Sequence, residues 1–393
     1  MLIAAARIIT ASGGASGANA IFAPGHVTCS GGRVTAIGAG PPPGKPDLQL
    51  HDGVLVPGFV DLQVNGYFGV ELAAADLAGW LTVAGRLAET GTTAFMPTFI
   101  TSPLDDMAGA LCRAAEFHAK LADGSQGARV LGVHAEGPFI SPQRPGAHNQ
   151  EWIVNPDPVA IETLLTAGAH NLRMVTLAPE RDGALAAIKQ LTAAGVLVSI
   201  GHSDATAQQV SAGARCGATM VTHLFNAQRP MHHREPGVVG QALADSRLTS
   251  SLIADLHHVS GQVAALAFAA APGRICLITD AAACAGMPPG RYVLGGEPIE
   301  LAEGDGTPPV RSDGTIAGSA LRMDSAVANM VATGIGLAEA VAAGTRIPAD
   351  LIGRSDLGRI APGAVADLTW LSDDLRTIAT WVGGQQVFGP HLD

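Results

Sequence analysis

Val196-Leu-Val-Ser-Ile-Gly-His202, then an alanine-rich segment, then Thr219-Met-Val-Thr-His-Leu-Phe-Asn226 sets the pattern of the chain. A short apolar run ends on polar side chains, a helical segment follows, and another such run succeeds it. Working outward, similar runs occur at 58–65, 92–99, 130–136, 172–178, 250–258 and 275–280, which makes eight with the two quoted. Unbroken apolar strands alternating with helices imply a parallel sheet covered on both faces, and eight such units close into a (β/α)8 barrel of the TIM type. An open doubly wound sheet is the competing arrangement, but no G-x-G-x-x-G follows the first strand to support it.

The flanks read differently. Ala6-Arg-Ile-Ile-Thr10, His26-Val-Thr-Cys29 and Arg33-Val-Thr-Ala-Ile37 are short β-branched runs between glycine and proline clusters, and residues 366–388 have the same character. The two chain ends are therefore expected to form one small β-sandwich domain, residues 1–57 and 361–393, beside a barrel of residues 58–360.

Composition narrows the function. With 47% hydrophobic and 15% charged residues, the 393-residue chain is neither disordered, collagen-like nor a coiled coil. Lys+Arg number 23 against 34 Asp+Glu, a net charge of −11 without a basic run, which excludes nucleic acid and anionic membrane as expected partners. A small anionic ligand is still compatible where a few Arg and His residues gather. No apolar run approaches the ~18 residues of a spanning helix. The apolar start of the chain carries Arg7 and lacks a basic leader region, so the expected location is the cytoplasm. Five cysteines without a C-x-x-C pair read as reduced core residues rather than a disulfide framework.

Taken in order, the strand ends carry Gln63 and Asn65, His134 and Glu136, His202, His223 and Asn226, Asp255 and His258, and Asp280. Each has an ordinary alternative: Glu136 as a turn carboxylate, His202 as a packed imidazole, Asp280 as the N-cap of a following helix. Together they direct a carboxylate and two imidazoles to one barrel mouth, a three-ligand set that leaves zinc an open position. Asp280, behind the apolar run 275–279, suits a proton acceptor. His134, two residues before Glu136, reads as a supporting residue. Arg229, His232, His233 and Arg234 are the densest cationic group in an acidic chain, either a phosphate site or a solvated loop.

Seven stretches, His134-Ala-Glu-Gly-Pro-Phe139, Pro145-Gly-Ala-His-Asn149, Gly201-His-Ser-Asp-Ala205, Thr222-His-Leu-Phe-Asn-Ala227, Arg234-Glu-Pro-Gly237, Thr279-Asp280 and Gly314-Thr-Ile-Ala-Gly-Ser-Ala-Leu321, run in order along the chain. In them the sequence resembles the N-acetylglucosamine-6-phosphate deacetylase family of the amidohydrolase superfamily. The resemblance implies that Glu136, His202 and His223 bind one divalent metal, Zn2+ first with Fe2+, Co2+ or Mn2+ as alternatives. It makes Asp280 the general base and later the acid, and has His148 polarise the acetyl carbonyl beside Ala147. Asn226, the Ala227 backbone, Asp255, His258 and Arg234 would hold the sugar phosphate, with Arg234 reaching a neighbouring subunit's site in a homodimer or homotetramer. Ile316, Ala317 and Gly318 would line the substrate from the last barrel loop.

The implied reaction is metal-dependent deacetylation of a phosphorylated amino sugar, in amino-sugar catabolism; a deacylase of another N-acylated sugar and a non-catalytic barrel scaffold are the alternatives. Three departures stand out. Gln63 and Asn65 replace the His-x-His found in many amidohydrolases, so a single metal is expected. Leu256 takes a place where glycine is usual, which is expected to crowd the sugar. Gln228 takes a place where methionine is usual.

Overall fold

The computed structural model describes residues 1–13, 21–125, 127–304 and 306–390. The eight expected strands form: β1 (Phe59–Val64), β2 (Thr92–Ile100), β3 (Val133–Glu136), β4 (Leu172–Leu177), β5 (Leu197–Ile200), β6 (Met220–Val221), β7 (Thr249–Ile253) and β8 (Ile275–Ile278). Each pairs in parallel with the next. The ring closes through a parallel bridge between Val64 and Ala281, where the Asp280 amide donates to the Gln63 carbonyl at 2.9 Å and the Asn65 amide to the Ala281 carbonyl at 2.8 Å.

Helices follow the strands in turn: α1 (Leu77–Ala88), α2 (Leu104–Leu121), α3 (Pro158–Gly168), α4 (Ala184–Ala193), α5 (Ala207–Cys216), α6 (Gly237–Ala244), α7 (Gly261–Ala270) and α8 (Met323–Ala332). Local chemistry starts several of them. Asp76 and Asp157 accept the amides of Gly79 and Ala160, and Thr206 with Gln209 forms a capping box. Between β8 and α8 lies a hairpin, Gly290–Leu294 with Glu297–Leu301, that the strand pattern did not foresee. The first helix after Asp280 is α8, so this residue caps no helix.

Both chain ends build the smaller domain. Leu368–Leu371 pairs antiparallel with Val54–Pro57, and the resulting sheet lies with a second one over a core that includes Ile3, Val27, Leu50, Leu55 and Trp381. Its junction with the barrel needs Gly58, because a Cβ there would stand 2.2 Å from the Thr93 side chain. Across that junction the Arg129 guanidinium donates twice to the buried Asp367 carboxylate, at 2.7 and 3.2 Å.

Cys29, Cys276 and Cys284 are buried as expected, whereas Cys112 is exposed on α2. Among the described residues no helix is long and apolar enough to cross a membrane.

Candidate active site

Four side chains meet where four strands end. Glu136 is the last residue of β3. His202, His223 and Asp280 each stand two residues beyond their strand, with φ of 46°, 32° and 53°. Such left-handed backbone is costly for residues with a Cβ, of order 1–3 kcal/mol each, and persists where the surroundings impose it. Here the turns are tied down: Ser251 Oγ accepts the His223 amide at 2.7 Å, the His202 carbonyl accepts the Ser141 amide at 2.8 Å, and the Asp280 carbonyl accepts the Ser319 amide at 2.8 Å. The barrel thus bends each strand end so that its functional side chain faces the mouth.

Three atoms crowd there. His223 Nε2 is 2.9 Å from Glu136 Oε1 and 3.1 Å from His202 Nε2, while His202 Nε2 is 3.3 Å from Glu136 Oε1. The Arg144 carbonyl accepts His202 Nδ1–H at 3.0 Å, so His202 Nε2 presents a lone pair. One proton on His223 Nε2 can serve only one of its two acceptors, whereas a cation serves all three atoms. Ligands 2.0–2.2 Å from a tetrahedral ion are themselves about 3.3–3.6 Å apart, close to the observed separations. The donor set fits a divalent metal ion.

His148 lies within reach of the same cluster, its Nε2 3.8 Å from Glu136 Oε2. Its role differs. Glu136, His148 and His202 could also hold an ion, but the Thr101 amide donates to His148 Nδ1 at 3.2 Å, which leaves the proton of the neutral ring on Nε2. Burial, reinforced by His202, holds the His148 imidazole well below its ordinary pKa and hence neutral.

Gln63 and Asn65 occupy the side of the cluster toward β1. Gln63 Nε2 donates to Glu136 Oε1 and to Asp280 Oδ1, both at 3.1 Å, and Asn65 Nδ2 donates to Asp280 Oδ1 at 2.7 Å. Carboxylates only accept, so the amide nitrogens must face them. These N–H groups supply hydrogen bonds to both carboxylates on this side of the cluster. Burial and the neighbouring Glu136 push Asp280 up to about 6. Below it, the buried Asp61 accepts the Thr279 hydroxyl at 2.5 Å and the Thr279 amide at 3.2 Å, which fixes the turn that presents Asp280.

The cluster opens into a cavity of about 270 Å³. Ala147, His148, Asn226, Ala227, His258, Ile316 and Gly318 line it together with Glu136, His202, His223 and Asp280. Other expected residues lie elsewhere, for identifiable reasons. Asp255 does not line the cavity: its Oδ2 accepts His258 Nδ1–H at 2.6 Å and its Oδ1 accepts two backbone amides, so it orients His258. Ala317 packs into a small apolar cluster with Leu294 and Ile299, since alternate residues of an extended segment face opposite ways. Arg234 is exposed and outside its own chain's cavity, with Nη1 2.8 Å from His233 Nε2.

Leu256 does not crowd the site. At φ 66° it takes the conformation that favours glycine, and its side chain, 38% exposed, lines a neighbouring cavity with His257 and Arg322. Gln228 is a pin: its Nε2 donates to the Thr222 carbonyl at 2.8 Å and its Oε1 accepts the Phe225 amide at 3.2 Å, closing the loop after β6. His134 is buried beneath Glu136, where the Thr176 hydroxyl lies 2.7 Å from its Nε2. Sequence reasoning missed Thr101, which orients His148, and Ile100, Leu294 and Thr315 in the cavity wall.

The sequence profile of the amidohydrolase family matches residues 54–387, most of the chain and all of the barrel. The chain belongs to the amidohydrolase family. Among related amidohydrolases, N-acetylgalactosamine-6-phosphate deacetylase of Escherichia coli O157:H7 is 40% identical over 337 residues, covering 84% of this chain and 87% of the relative. N-acetylglucosamine-6-phosphate deacetylase of Bacillus subtilis (strain 168) is 34% identical over 376 residues, covering 94% of each. A mutant of N-acetyl-D-glucosamine-6-phosphate deacetylase from Mycobacterium smegmatis, solved in complex with N-acetyl-D-glucosamine 6-phosphate, is similar at TM-score 0.91 and 35% identity, with 98% of this chain and 99% of that one covered.

Proposed function

We propose that this amidohydrolase removes the acetyl group of N-acetylglucosamine 6-phosphate, giving glucosamine 6-phosphate and acetate, as a cytoplasmic step of amino-sugar catabolism. One observation carries the reading: Glu136, His202, His223, His148 and Asp280 line one cavity together with Asn226, Ala227 and His258. The activities of the similar proteins support it. N-acetylgalactosamine 6-phosphate is the second reading, favoured by the 40% identity to the Escherichia coli enzyme of that specificity. Acetate release from both hexosamines, with and without the 6-phosphate, tests the two; no release from any of the four overturns both.

On this reading Glu136, His202 and His223 hold one divalent ion, zinc by the donor set, with Fe2+, Co2+ or Mn2+ able to use the same atoms. A bound ion of this kind supplies Lewis acidity, polarising a carbonyl and acidifying water. His148 Nε2–H donates to the acetyl oxygen as charge develops on it. Asp280 takes a proton from the attacking water as the new C–O bond forms. It then gives that proton to the sugar nitrogen as the C–N bond breaks, because an amide nitrogen leaves as an amine. Asn226, the Ala227 backbone and His258, set by Asp255, hold the sugar phosphate, while Ile316 and Gly318 border the ring.

Two results are expected from this arrangement. Elemental analysis of metal-replete protein should give one tightly bound divalent ion per chain, since the amides of Gln63 and Asn65 already serve the carboxylates on the other side. Two tightly bound ions would contradict the single-metal assignment. Arg234, exposed on its own subunit, completes the phosphate site of a neighbour in a homodimer or homotetramer. Arg234→Ala should weaken the phosphorylated sugar by about 1.5–3 kcal/mol, the value of a hydrogen bond to a charged group, and leave the unphosphorylated sugar unchanged. Equal losses on both substrates would move the phosphate contact to another residue.

A further inference from the structure

A second cavity, of about 240 Å³, lies behind the rim formed by β1 and β2. It shares Asn65, Ile100 and Leu294 with the first cavity. Two of them stand beside the reacting groups: Asn65 bonds to Asp280, and Ile100 precedes Thr101, whose amide holds His148. Asn226, Ala227 and His258 come from the loops after β6 and β7, across the mouth of the barrel. On the deacylase reading, a sugar phosphate held by Asn226, Ala227 and His258 with its amide carbon between His148 and Asp280 would direct the far end of its acyl group toward β1 and β2.

The lining of the second cavity suits an uncharged tail. Phe99, Met107 and Ala110 give it an apolar inner wall. Its acids, Glu71 and Asp106, disfavour an anion; Glu71 is engaged by the Gly295 amide, and Arg113, on the exposed face of α2, donates to the Ala73 carbonyl. Asn65, Ile100 and Leu294 form the wall between the two cavities; Leu294 packs with Ile299 and Ala317 and Ile100 lies against the same cluster, so a tail that passes between the cavities has to displace these two aliphatic ends.

We propose that the protein also hydrolyses N-acyl amino-sugar phosphates with acyl groups longer than acetyl, the tail passing Ile100 and Leu294 into this second cavity. The inference rests on the deacylase reading above. The chemistry is unchanged: water adds its oxygen to the acyl carbon, the C–N bond breaks, and the amine departs with the proton carried by Asp280, releasing a longer carboxylate.

The test compares N-acetyl-, N-propionyl- and N-butyryl-glucosamine 6-phosphate on the metal-loaded wild type, Ala74→Trp and Ala110→Trp. Each methylene leaving water is worth about 0.8 kcal/mol, about fourfold, which offsets the displacement of Ile100 and Leu294. The wild type should therefore use the butyryl substrate with kcat/KM within about tenfold of the acetyl one. A tryptophan at either position fills the cavity and should lower butyryl turnover at least about tenfold more than acetyl turnover, the scale on which one or two methylenes are discriminated. Ala74 is exposed, so its variant keeps the test open should the buried Ala110 variant misfold. Acetyl hydrolysis with butyryl rejected by about 10³ or more, or equal losses on both substrates in a folded variant, overturns the proposal alone. No hydrolysis of any of the three overturns the deacylase reading and this proposal with it.

Discussion

Asp280→Asn should fold, keep its metal and lose at least about 10³ of its deacetylase activity. General base and general acid roles are each typically worth 10²–10⁴-fold, and one carboxylate is assigned both here. Asparagine matches aspartate in shape, so the turn at φ 53° survives, and asparagine is among the residues that tolerate this conformation best. Asp280 also accepts Gln63 Nε2 and Asn65 Nδ2, and the amide oxygen of the variant can take over both bonds. The variant cannot take a proton from water. Burial and Glu136 raise the wild-type carboxyl, and a carboxylate, unlike the amide, can accept the water proton and return it to the departing nitrogen. Melting temperature, bound metal and acetate release, measured on one preparation, separate the roles open to this residue. An indispensable metal ligand would cost occupancy, a purely structural residue would cost stability, and the proposed acid–base would cost turnover alone. Retained turnover in a folded, metal-loaded variant would refute the assignment.

The barrel was legible because its signal is coarse and repeated. Eight apolar runs, each ending on polar residues, survive an error of several residues at either boundary, as the run 219–226 illustrates: only Met220–Val221 belongs to the ladder, and the residues after it form the turn that carries His223. The cluster of Glu136, His202, His223 and Asp280 was legible for the same reason, since a side chain at the end of a barrel strand can only face the mouth or the helices. Asp255 and Ala317 show where this reasoning stops. Sequence places both beside the site, but which neighbour a side chain meets depends on rotamer and on the loop packed against it. The hairpin Gly290–Leu301 was missed although its signal is present: Gly295-Gly296, both at positive φ, form the two-residue turn between strands of only five residues each, and its apolar residues pack in a small cluster with Ala282 and Ala317. Leu256 shows a backbone effect that sequence alone does not reveal: it sits in a left-handed turn, φ 66°, and its side chain lines a neighbouring cavity rather than the one with the catalytic cluster.

His202→Ala should abolish metal retention together with turnover. Removing one of three protein ligands leaves a carboxylate and one imidazole, too few to fix a tetrahedral ion with an open position. The loss should exceed the 10–100-fold in metal affinity typical of removing an outer partner of a ligand. Such an outer partner exists here. The Arg144 carbonyl fixes the His202 ring, and the Arg144 guanidinium is anchored on Asp204, which also binds Arg229 at 2.6 Å. Asp204→Asn should loosen that anchor and fall within the outer-partner range, so the two variants calibrate each other. Stability gives a readout independent of catalysis, because an ion that binds only the folded state stabilises it by RT ln(1 + [M]/Kd), about 4 kcal/mol at a thousandfold excess over Kd. Zinc added to the chelated wild type should therefore raise its melting temperature by several degrees, added to the Asp204 variant raise it less at equal concentration, and added to His202→Ala leave it unmoved. Normal zinc stabilisation and full turnover in His202→Ala would mean that the ion is held by a different set, with His148 the nearest substitute at 3.8 Å from Glu136 Oε2.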